Sequence, residues 1–117
     1  MATIKAVLID PLAETVTDVE YNGDYKQIYK HIQAELFTVV RLKDDDDVFV
    51  DDEGLLHLTK DSRFFVLPDY PQPLVGRGLV LGNDPESGES TDCHHDAAYY
   101  RDRVVFVDIG FVQAATY

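Results

Sequence analysis

Residues 36–56 read LFTVVRLKDDDDVFVDDEGLL, and this stretch decides the fold. An apolar run, Leu36, Phe37, Thr38, Val39 and Val40, leads into four consecutive aspartates, Asp44, Asp45, Asp46 and Asp47. A second short run, Val48, Phe49 and Val50, is closed by Asp51, Asp52, Glu53 and Gly54. Two β-branched and aromatic segments bounded by turn formers predict a β-hairpin. Its tip carries more negative charge than any other part of the chain.

Upstream of the hairpin, Tyr25, Ile28, Tyr29, Ile32 and Leu36 recur at spacings of three and four. That is one apolar face of a helix of about three turns. Asp24, after Asn22 and Gly23, is placed to cap its first turn. Before it, residues 4–9 (IKAVLI) predict a strand, ended by Asp10 and Pro11 because a residue before proline is pushed out of the helical region. Residues 15–21 (TVTDVEY) alternate and predict a second strand, paired antiparallel with the first.

Downstream, residues 54–58 either extend the hairpin or open a short helix. Residues 63–67 (RFFVL) predict a strand. Pro68, Pro71 and Pro73 predict an extended connection that no central strand tolerates. Gly76 and Gly78 read as turn residues before a short buried strand at 79–82, and Gly82 as another turn residue. Residues 83–92 (NDPESGESTD) are loop-like, and 96–103 predict a short helix. Residues 103–111 (RVVFVDIGF) predict a last strand apolar enough to be central or to be covered on both faces. The expected architecture is α+β, a mostly antiparallel sheet of five to seven strands with one main helix packed on one face.

At 117 residues the chain has the size of one domain, and 45% hydrophobic residues with 11% aromatic ones suffice for a core. It carries 22 acidic and 10 basic residues, a formal net charge of −12. Such a charge favours solubility and a monomer. It argues against direct contact with nucleic acid, which needs a basic face, and favours a partner with a basic surface. A single cysteine, Cys93, excludes an internal disulfide and suits a reducing compartment. No secretory leader and no membrane-length apolar run are read, so a soluble intracellular, cytoplasmic protein is expected.

The order of features resembles a family of small uncharacterised proteins encoded by phages and mobile elements. The resemblance rests on Ile4, Lys5, Ala6, Val7, Leu8, Ile9, Asp10 and Pro11; on the helix and the strand at 36–42; on the acidic hairpin with Val50, Asp51, Asp52, Glu53 and Gly54; and on Gly76, Gly78, Val80 and Gly82. It covers roughly residues 4–84. It implies an accessory rather than virion role, and it transfers no active site.

Three functional readings follow. In the first, Asp44, Asp45, Asp46, Asp47, Asp51, Asp52 and Glu53 form an acidic contact surface that mimics phosphates for a basic host protein, such as a defence nuclease. Consecutive aspartates do not match the spaced ligands of an EF-hand loop, and a merely solvated tip that discourages edge pairing is the plain alternative. In the second, a nucleotide or small ligand sits among tyrosines, with Arg41, Arg63, Arg77, Arg101 or Arg103 for its phosphate. In the third, Cys93, His94 and His95 serve a metal-dependent enzyme, joined through folding by His31 or His57. Adjacent histidines without a second separated pair fit zinc poorly. Cys93 beside His94 is also a weak thiol–imidazole pair, since catalytic pairs usually meet from distant positions. Phosphate-loop glycine patterns are absent. The expected protein is non-enzymatic and needs no cofactor. Of the adjacent Tyr99 and Tyr100, only one can face the core.

Overall fold

The computed structural model describes residues 3–53, 58–108 and 110. Among these residues the chain forms nine strands and two α-helices, and every strand pairing is antiparallel. The larger sheet contains β1 (Ile4–Asp10), β2 (Thr15–Tyr21), β3 (Phe37–Arg41), β4 (Asp46–Asp51) and β7 (Gly78–Asn83). Its order is β2-β1-β7-β4-β3, and the two-residue β8 (Ser90–Thr91) adds to β7. The smaller sheet has the order β6-β5-β9, from β6 (Tyr70–Val75), β5 (Arg63–Leu67) and β9 (Val105–Asp108). The helices are α1 (Tyr25–Ile32) and α2 (Ala97–Arg101).

Side chains alternate across each strand, so the larger sheet has two dressed faces. On one, Ala6, Leu79 and Leu81 meet Ile28 and Ile32 of α1. On the other, Val7, Ile9, Val48 and Val80 meet Phe65 and Leu67 of the small sheet together with Ala97 and Tyr100 of α2. The helix on one face is as expected. The six strands of the larger sheet fall within the expected five to seven; the difference is a second, three-stranded sheet, because RFFVL pairs with β6 and β9 and covers the second face instead of extending the first sheet.

Asp24 caps α1, its carboxylate accepting from the Lys26 N–H at 3.0 Å. The helix stops after eight residues, where Gln33 turns left-handed. Leu36 therefore lies outside it and is 48% exposed, and Tyr25 at its first turn is 56% exposed. Both fall short of the buried stripe that the three-and-four spacing predicts. The proline segment 70–75 is the edge strand β6, the place in a sheet where residues without an N–H are tolerated. β9 is also an edge strand, with Val105 56% exposed, rather than a central one. The end of the expected last strand beyond 108, and the 54–57 segment with His57, lie outside the described residues.

The glycines divide. Gly76, at φ +76°, is a turn residue. Gly78 and Gly82 are strand residues that permit close approach. A Cβ on Gly78 would press on the Phe65 ring, and one on Gly82 would overlap the Asp92 carbonyl and the Thr91 hydroxyl. Gly82 thereby lets the 91–94 segment lie flat across β7 on its way to α2.

Candidate functional site

The acidic hairpin is present, with register Phe37↔Asp51, Val39↔Phe49 and Arg41↔Asp47. Its connection is a short 3-10 turn, Lys43–Asp45, in which Asp44 and Asp45 both have φ +61°. Aspartate tolerates that conformation better than most residues. The run of four aspartates is thus divided. Asp44 and Asp45 make the turn and are exposed, whereas Asp46 and Asp47 begin β4 and are 0% and 8% exposed.

Being adjacent in a strand, Asp46 and Asp47 point to opposite faces. Asp46 shares its face with Val48 and is surrounded by donors from the 93–100 segment. Its Oδ1 accepts from the His94 backbone N–H at 2.8 Å and lies 2.9 Å from His94 Nδ1. A carboxylate only accepts, so the proton of this contact belongs to Nδ1. Its Oδ2 accepts from the Tyr100 hydroxyl and, at 3.4 Å, from the Cys93 thiol. Buried polar atoms need such partners, and Asp46 has four. Asp47 lies on the α1 face. Burial raises its pKa above the ordinary carboxyl range, and neighbouring Arg41 offsets part of that effect.

Around this anchor lies a half-buried stack. His95 Nε2 is 3.0 Å from Asp44 Oδ2. The His95 ring stacks on Tyr99 at 3.6 Å, and the Arg103 guanidinium sits 3.7 Å from the same Tyr99 ring. The His95 contact holds the Asp44 carboxyl below its usual pKa. Asp96 caps α2 by accepting from the Tyr99 N–H at 3.0 Å, and Asp18 of β2 accepts from the Ala97 N–H at 2.9 Å. Of the adjacent tyrosines, Tyr100 is buried and Tyr99 half-buried, as their adjacency requires.

Two open clefts flank the 92–96 segment. One, of about 430 Å³, is lined by Lys5, Asp18, His94, His95 and Tyr99 among others. The other, of about 510 Å³, is lined by Asp45, Asn83, Asp84, Thr91, Asp92 and His94 among others, with no Lys or Arg.

The seven carboxylates expected on one contact surface are therefore not one cluster. Asp46 and Asp47 are withdrawn into the fold, because β4 begins two residues earlier than its apolar run and carries both inward. Asp51, Asp52 and Glu53 lie at the opposite end of the hairpin from Asp44 and Asp45. The length of β4, Asp46–Asp51, five strand steps or about 17 Å, lies between the two groups. Asp51 is half-buried and accepts from the Glu53 N–H at 2.9 Å; Asp52 is exposed. Asp84 and Asp92 join Asp45 at the second cleft, a contribution that the turn-rich composition of 83–92 concealed.

Cys93, His94 and His95 are neighbours of acidic residues rather than of one another's ligand atoms. Cys93 Sγ and His94 Nδ1 are both turned onto Asp46. Among the described residues no three His, Cys, Asp or Glu side chains are grouped to hold a metal ion. His31 Nε2 is 3.3 Å from the Glu20 carbonyl, on the β2 edge. Burial, and then the Asp46 charge, push the Cys93 thiol far above its ordinary pKa, which keeps it from forming the nucleophilic thiolate. Four of the five candidate phosphate-binding arginines have internal hydrogen-bond or ion-pair partners, and the fifth, Arg41, is exposed beside Asp47. Arg77 pairs with Asp10 at 3.2 Å, Arg101 donates to the Val16 carbonyl at 2.8 Å, Arg103 to the Tyr99 carbonyl at 2.9 Å, and Arg63 to the Ser62 carbonyl at 3.2 Å. No helix among the described residues is long and apolar enough to cross a membrane.

No curated protein and no solved structure matches the chain. A family model, Domain of unknown function (DUF3846), matches residues 4–105. The match extends well past the 4–84 span of the resemblance, through the Asp92–Asp96 segment and α2, so the Asp46 anchor and its donors all fall within it. The chain belongs to the DUF3846 family.

Proposed function

We propose that this is a small acidic accessory protein, of phage or mobile-element origin, that binds a basic surface on a host protein. The partner's basic face is one made for nucleic acid, as on a defence nuclease. The supporting observation is the cleft in which Asp45 of the hairpin turn meets Asp84 and Asp92, with no Lys or Arg in its lining. A net charge of −12 around it adds long-range attraction to any basic partner. Asp44, Asp51, Asp52 and Glu53 extend the acidic surface, while Asp46 and Asp47 serve the fold.

In this reading the protein acts by binding, in the host cytoplasm, without a cofactor. The sequestering of a nucleotide has less support, since Tyr100 is buried against Asp46 and both faces of Tyr99 are taken by His95 and Arg103. A metal-dependent enzyme has less support because Cys93 Sγ and His94 Nδ1 are engaged by Asp46 and, among the described residues, no three His, Cys, Asp or Glu side chains are grouped to hold a metal ion.

The test is affinity capture from host extract with the wild-type chain, with the Asp45→Asn/Asp84→Asn/Asp92→Asn variant, and with Asp61→Asn/Asp69→Asn/Glu14→Gln as a control of equal charge. A basic protein held by wild type and control, released by salt and lost by the first variant, is the expected result. Equal capture by all three would remove the acidic cleft from the account.

A further inference from the structure

We propose that the outer edge of β3 pairs antiparallel with the β3 edge of a second copy of this chain, about a two-fold axis at Val39, so that two large sheets become one. The inference goes beyond the basic-partner reading and does not depend on it.

The hydrogen-bond phase of the hairpin identifies the open groups. Leu42 N–H donates to the Asp46 carbonyl at 2.8 Å, and Asp52 N–H to the Leu36 carbonyl at 3.2 Å. In an antiparallel pair the bonded positions alternate, so Leu36, Thr38, Val40 and Leu42 bond toward β4. Phe37, Val39 and Arg41 then direct their N–H and C=O groups outward. No hydrogen bond outside the strand ladders takes those groups among the described residues.

The other long edge strands are obstructed. On β2, Arg101 donates to the Val16 carbonyl, and His31 lies against the Glu20 carbonyl. β6 reads YPQPLV, with prolines that cannot donate to a ladder, and β9 is four residues long. β3 has no proline and no covering element among the described residues.

The sequence of this edge is complementary to itself. A two-fold contact that brings one residue to a second also brings the second to the first. With Val39 opposite Val39, Leu36 meets Leu42, Phe37 meets Arg41, Thr38 meets Val40, and Glu35 meets Lys43. No pair in this register sets like charges opposite one another, and one sets unlike charges so. Arg41 comes beside a Phe37 ring that is already backed by Tyr29 at 5.1 Å and Phe49 at 5.3 Å, a favourable place for a cation. Leu36 and Val39, 48% and 41% exposed, gain apolar neighbours. The bonded pairs at positions 37, 39 and 41 add roughly six backbone hydrogen bonds.

Charge works in two directions. The net charge of −12 on each copy opposes association. At the edge itself the ends are complementary. Arg41 and Lys43 stand with Asp44 and Asp45 at one end, all exposed, and this balanced end meets the acidic end with Glu35, Asp51 and Asp52 on the other copy. Salt screens the overall repulsion. It therefore strengthens this contact, whereas it weakens the binding of a basic partner.

The test is sedimentation of the full chain from about 10 μM to about 1 mM at low and high salt, with amide hydrogen exchange at both ends of that range. We expect a monomer–dimer equilibrium that moves toward dimer as salt rises, with exchange at Phe37, Val39 and Arg41 slowed about tenfold or more in the concentrated sample. Val39→Lys alters an exposed side chain and sets two cations against each other on the axis. It is expected to stay monomeric, while the amides of β1 and β7 keep their wild-type protection as evidence of folding. A wild-type chain that is monomeric throughout overturns the proposal. So does a dimer that Val39→Lys leaves intact, or one in which the three amides exchange as in the monomer. Asp45, Asp84 and Asp92 are unchanged in Val39→Lys, so capture of a basic partner by this variant stands or falls separately.

Discussion

The Asp46 carboxylate accepts a hydrogen bond from the Tyr100 hydroxyl, 54 residues further along the chain. The bond ties α2 to β4. With the His94 N–H, His94 Nδ1 and the Cys93 thiol on the same carboxylate, one buried side chain fastens the 93–100 segment across the larger sheet. Asp46→Ala leaves these donors without their acceptor and is expected to cost about 3 kcal/mol. Tyr100→Phe removes one bond and is expected to cost about 1 kcal/mol. Urea unfolding measures both, and wild-type midpoints for the two variants would contradict the anchoring role.

The same cluster sets an alkaline limit on stability. Burial raises the Cys93 thiol, reinforced by Asp46; burial and the Asp46 hydrogen bond raise the Tyr100 hydroxyl. Groups raised in the folded state stabilise it fully below their unfolded pKa values, and the contribution is lost as pH rises toward the folded values. Stability is expected to hold up to about pH 8.5 and to fall above it, where the unfolded thiol and then the phenol lose protons first. Cys93→Ala should make the decline start later, near the phenol range. Urea unfolding at a series of alkaline pH values checks this; stability that rises with pH there would contradict it.

Asp47 carries a liability of the same sign at lower pH. Its carboxyl is raised chiefly by burial, so the neutral form is favoured in the fold and its charge opposes folding at neutral pH. Asp47→Asn is expected to stabilise the chain by about 0.5 kcal/mol at neutral pH. The gain should vanish below the ordinary carboxyl range, where both states hold the proton. The variant should leave partner binding intact, since the side chain is buried. A destabilised Asp47→Asn chain in urea would show that the Arg41 interaction outweighs burial.

Local pattern carried much of this architecture. Alternation in residues 15–21, the turn residues around Asp24 and the paired apolar runs about the aspartates each correspond to an observed element. What pattern conveys poorly is which carboxylate turns inward. Asp44, Asp45, Asp46 and Asp47 are chemically alike in sequence, and only the strand phase beginning at Asp46 separates two surface groups from two buried ones. The donors that make burial of Asp46 tolerable come from residues about fifty positions away, and no periodicity links them. The adjacency of Tyr99 and Tyr100 did signal that one ring would be buried, without naming its acceptor. The split into two sheets was hidden for a related reason: RFFVL has the same composition whether it extends one sheet or covers it.

The acidic cleft is most directly tested by affinity for the captured basic partner, titrated at rising salt with three chains: wild type, Asp45→Asn/Asp84→Asn/Asp92→Asn, and Asp61→Asn/Asp69→Asn/Glu14→Gln. The account predicts that the cleft variant binds about tenfold or more weakly at low salt and shows a shallower salt dependence, while the control stays close to wild type. Equal affinities and equal salt slopes for the two variants would contradict it, because net charge alone would then explain the binding.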